Sequence, residues 1–116
     1  MSDIEKELNP NIPQVTDEMI IDTILGDWEE YYGELKMNAY ATSRRIIEEL
    51  GSYYSNPKTK MITLTLLAYL VNKNSSNDLM AVNFIIKETN HINMNADIHL
   101  IREREKFESL LSNYIT

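Results

Sequence analysis

Hydrophobic residues recur along this chain mostly at helical intervals. Ile20, Ile24, Trp28, Tyr31 and Leu35 step by four, four, three and four, one face of a helix. Thr16 stands where a cap is wanted, with Asp17 and Glu18 in the first turn, where the helix dipole favours acids. Gly26 interrupts the stripe. It reads as a left-handed stop, with Asp27 and Glu30 as an acidic capping box for a new start, so one bent helix or two short ones would serve.

A second helix is bounded by Asn38 as cap and Gly51 just past its end. Tyr40, Ser43, Ile46, Ile47 and Leu50 share its inner side. Arg44, Arg45, Glu48 and Glu49 fall outside as two i,i+4 ion pairs. Ser55-Asn56-Pro57 opens a third helix over about 57–72, because proline suits the first helical position. That segment is apolar nearly all round, which places it in the middle of a bundle. Its stretch MITLTLL has a buried strand as rival, but length and the start signal favour helix.

The polar turn VNKNSSND ends with Ser75 or Ser76 as the expected cap of a helix reaching Glu88. Leu79, Val82 and Ile86 lie on one side of it, Met80 and Phe84 on another. After the loop ETNHINMN, Asn95 caps a last helix. Its residues Leu100, Arg104, Phe107, Leu111 and Tyr114 form a short heptad-like seam. Residues 1–15 are polar and aperiodic, with Pro10 and Pro13, and read as a flexible tail. The expectation is an all-α fold: a compact antiparallel bundle of five or six helices in one domain, 16–116, behind that tail.

Totals refine this picture more than they change it. One core suits 116 residues of which 43% are hydrophobic. The chain has no cysteine, so disulfides, thiolate metal sites and cysteine nucleophiles are excluded. The opening MSDIEKELNP lacks the apolar centre of a signal peptide. The run MITLTLLAYLV is about half the ~20 residues a membrane span needs. A cytoplasmic protein without membrane attachment is expected. Usage rich in Ile, Asn, Lys, Tyr and Glu points to an AT-rich genome, such as that of a phage or mobile element.

Charge is spread unevenly. Residues 1–36 hold ten acids against Lys6 and Lys36, a net of −8. Residues 37–87 hold six bases against three acids, +3, and residues 88–116 hold three bases against five acids, −2. This asymmetry speaks to partners.

The residue patterns favour binding over catalysis. The carboxylates fall on the outer faces of the helical patterns instead of converging on a pocket, and no phosphate-cradling loop or nucleophile elbow is present. His99 and Glu103 are spaced to share an ion, with His91 and Asp97 near in sequence. Zinc wants three or four converging ligands, so no metal and no cofactor are expected.

Two binding classes remain. In the first, DWEEYYGEL joins acids to aromatics, the side chains that carry interface energy. Glu29, Glu30 and Tyr32, with Tyr53 and Tyr54 from the next loop, would receive a basic protein steered by charge. Trp28 and Tyr31 share the inner stripe and belong to the core. The chain would then be a non-enzymatic adaptor, inhibitor or assembly factor. In the second, residues 28–51 form a helix–turn–helix, with Arg44, Arg45, Lys58 and Lys60 on phosphates and Ser43 at a base edge. The glutamates following both arginines and the overall acidity weigh against nucleic acid. Phe107, Leu111 and Tyr114 need a cover, which is either the same domain or a second copy in a homodimer.

Overall fold

A computed structural model describes residues 15–92. They contain four α-helices: α1 Asp17–Trp28, α2 Ala39–Leu50, α3 Pro57–Ser75 and α4 Leu79–Thr89. A π-helical turn, Glu29–Glu34, continues α1, and a 3-10 turn, Gly51–Ser55, links α2 to α3. No strand occurs among the described residues. The tail expected over 1–15, apart from Val15, and the C-terminal seam with Phe107, Leu111 and Tyr114 lie outside them.

Start signals act where side-chain oxygens reach free amides. Thr16 Oγ1 accepts from Met19 N at 3.2 Å, and Asn38 Oδ1 from Ala41 N at 2.7 Å. Asn56 Oδ1 accepts from both Lys58 N and Thr59 N, with Pro57 in the first turn. For α4 the cap is Asp78, not Ser75 or Ser76, because α3 runs through Ser75. Asp78 Oδ1 accepts from Ala81 N at 3.1 Å, while its Oδ2 accepts from Tyr40 N at 3.2 Å. One carboxylate thus serves the amino ends of α2 and α4, where both dipoles favour negative charge.

Gly26 does not stop α1. The helix passes through it without a left-handed residue, and no new capping box forms at Asp27. Ile24 and Trp28, buried on either side of it, outweigh the ~1 kcal/mol that a mid-helix glycine costs. After Trp28 the spiral widens: Leu35 N donates to Glu30 O, five residues back, at 2.9 Å. The extra residue rotates Leu35 off the buried stripe, and it is 61% exposed. Lys36 then takes φ 58°, and Met37 N returns to Tyr31 O at 2.9 Å. The left-handed residue of this turn is therefore Lys36.

The core gathers Ile20, Ile21, Ile24 and Trp28 of α1, Ile46 and Leu50 of α2, six α3 residues among which are Leu66 and Leu67, and Ala81 and Ile85 of α4. Helix α3 touches all three other helices, as its apolar circumference requires. Its rival reading as a strand fails, and Thr63 Oγ1 instead donates to Thr59 O at 2.8 Å along the helix. On α4 the buried line is Ala81–Ile85, between the two expected stripes. Leu79, Met80 and Ile86 remain exposed. No helix of the described residues is long and apolar enough to cross a membrane.

Candidate functional site

The residues singled out for partner binding fall on two elements that do not touch, the π-helical turn and the 3-10 turn. Glu29 and Glu30 are exposed on the first. They continue an outer row begun by Glu18 and Asp22 and ended by Glu34, all exposed. This row exists because the opposite side of α1 carries the isoleucines and Trp28 that bury against α3.

Tyr32 is half-buried instead of exposed. Its ring stacks on Trp28 at 4.7 Å, and its hydroxyl donates to the Asn74 carbonyl at 3.0 Å near the end of α3. It clasps two helices together and offers a partner only part of its surface. Tyr53 is 51% exposed, the accessible aromatic of the second turn. Its neighbour Tyr54 is half-buried, donates to Glu88 Oε1 at 2.7 Å and lies under Lys60 Nζ at 5.0 Å. Burial first, then the Glu88 carboxylate, pushes the Tyr54 phenol well above its ordinary range.

The residues of the nucleic-acid reading are mostly engaged. Ser43 is fully buried with no hydrogen-bond partner for its hydroxyl, so no base edge can meet it. Arg45 Nε pairs with Glu49 at 3.2 Å and its guanidinium lies over the Tyr31 ring at 5.4 Å. Lys58 pairs with Asp17 at 3.2 Å. The expected Arg44–Glu48 pair does not form. Arg44 Nη1 donates to the Tyr40 hydroxyl at 3.2 Å and covers that ring at 5.7 Å. Among the described residues no group of three or more His, Cys, Asp or Glu could hold a metal ion. His91 is exposed in the turn after α4, while Asp97, His99 and Glu103 lie outside the described residues.

One cluster was missed from sequence. Where α1 passes α2, Asp27, Tyr31, Arg45 and Glu49 meet. The Tyr31 hydroxyl donates to Glu49 Oε1, which Arg45 also contacts. Asp27 Oδ2 is shut off from solvent, and no donor reaches it when the group is ionised. Burial, then the neighbouring Glu49 carboxylate, pushes the Asp27 carboxyl up to about 6. Donation from Tyr31 and contact with Asp27 and Arg45 hold Glu49 below the usual range. Protonated, Asp27 supplies the donor that the pair of acids otherwise lacks. The signal was available: Asp27–Tyr31 and Arg45–Glu49 are both i,i+4 pairs beside buried stripes. Not every acid of the first third is therefore a solvated surface charge.

Compared with known proteins, the chain matches no family model, no curated protein and no solved structure.

Proposed function

We propose that this chain is a small acidic interaction protein, not an enzyme, which captures a basic protein in the cytoplasm as an adaptor, inhibitor or assembly factor, in the setting of a phage or mobile element. The observation that carries this reading is the row Glu18, Asp22, Glu29, Glu30 and Glu34. All five are exposed, and none is paired with a cation among the described residues. Carboxylates so placed set up a field that attracts and orients a cationic surface. Tyr53, 51% exposed on the 3-10 turn beyond α2, offers a separate aromatic contact. On this reading the four described helices belong to a compact antiparallel bundle of five or six behind this face, with residues 1–15 as a flexible tail.

Affinity capture from lysate of a cell that encodes the chain tests this, with the five acids replaced by Gln or Asn in a second sample. A basic protein should be retained by the wild type at low salt. The variant should capture it at least about tenfold less. Equal retention by both forms, or a partner without a basic surface, overturns the reading.

The helix–turn–helix alternative keeps one favourable observation: Arg44 is exposed, without a carboxylate partner among the described residues. On that reading, duplex DNA would be shifted in a gel with steep salt dependence. No shift at low salt removes it.

A further inference from the structure

Helix α3 is apolar round most of its circumference, yet among the described residues one side of it is uncovered. Thr65 is half-buried, and Ala68 and Asn72 are exposed, at positions three and seven residues on from it. Beside this strip runs the Leu79, Val82 and Ile86 line of α4, where Leu79 is 69% and Ile86 53% exposed. Together the two helices enclose an open apolar hollow of about 220 Å³. It is lined by Ala68, Val71, Asn72, Ser76, Val82, Ile85 and Ile86. An apolar strip of this kind on a small protein marks a surface that something covers.

We propose that the chain's own residues 96–116 cover it, as a helix lying along the α3–α4 groove with Leu100, Phe107, Leu111 and Tyr114 turned inward. Three observations on this chain select that occupant. Leu100, Phe107, Leu111 and Tyr114 step by seven, four and three residues, a heptad-like spacing that packs a helix into the groove between two others, with Arg104 in the same line. Standing alone it would leave that apolar side in water, and helices of this kind gain most of their stability from packing. The connection is short: α4 ends at Thr89, and Asn95 can begin the next helix, and short connections favour an antiparallel neighbour beside α4.

Hydrogen exchange on the full chain, read by mass spectrometry, tests the proposal. Amides of 99–114 should exchange at least about tenfold more slowly than an unstructured peptide. That protection should persist through about a hundredfold dilution, because the contact is within one molecule. Ile86→Asp, and separately Leu79→Asp, should abolish protection of 99–114 while leaving α1 and α2 protected. Met80→Asp, outside the groove, should change nothing. Rapid exchange of 99–114 in the wild type overturns the proposal. So does protection indifferent to both groove substitutions. Protection that disappears on dilution, with the measured mass falling from dimer to monomer, assigns the groove to a second copy instead.

Discussion

Lys36 carries φ 58°, a conformation in which the Cβ of an L-residue crowds the following carbonyl. The turn from the π-helical segment toward α2 requires it, since Met37 N must reach back to Tyr31 O. Glycine adopts this conformation without that crowding. Lys36→Gly should therefore stabilise the fold by about 0.5–1 kcal/mol, the relief of strain less the greater freedom of the unfolded chain. Urea denaturation at neutral pH measures it. Asp27 makes a pH-dependent prediction at the same scale. Its folded pKa of about 6 lies above the unfolded value, so the folded state holds the proton more tightly. Its contribution to stability is fully present below about pH 4 and is lost as pH rises through about 6. Asp27→Asn keeps a donor for Glu49 at every pH. It should be about 1 kcal/mol more stable than wild type at pH 8, after allowing for solvent screening, and equal to it below pH 4. Equal stability at pH 8 would show that the proton is not held there.

Helix ends were the most legible elements. Thr16, Asn38 and Asn56 all cap the helices whose starts they mark, because capping depends on one oxygen and amides two or three residues away. The start of α4 was not legible. Ser75 and Ser76 are adequate local caps, but α3 runs through Ser75, and Asp78 takes the start with a further contact to Tyr40 N, 38 residues away. Replacing this carboxylate strips an acceptor from two helix starts at once. Asp78→Ala should cost about 2 kcal/mol, roughly twice a single cap, and Asp78→Asn less. Exchange rates at the first amides of α2 and α4 should rise together in Asp78→Ala. A rise confined to α4 would show that the Tyr40 contact contributes nothing. The buried line of α4 was misplaced for a related reason. The apolar residues surround so much of that helix that periodicity leaves the inward direction open, and Ala81 is too small to announce itself.

Across the whole molecule, the helical class and the central place of α3 followed from periodicity, because a helix apolar on every side must be surrounded. The candidate site was legible only in outline. That Glu29 and Glu30 face solvent follows from their place opposite the isoleucine stripe. That Tyr32 is tied to Asn74, and that Asp27 shares a proton-binding pocket with Glu49, depends on helix crossings which no local pattern encodes. Ser43 shows the same limit from the other direction. Its neighbours are arginines, yet its own position on α2 turns it into the core.

The widened turn after Trp28 carries one residue more than a regular spiral of the same height would hold. Such a surplus is what a single inserted codon leaves behind when the flanking packing cannot move. Deleting Gly33 would remove the surplus, restore even spacing between rungs and bring Leu35 around toward the interior. The acidic row would then bend along a different line, and on the proposed function a basic partner matched to its present curve would register the change before the fold did.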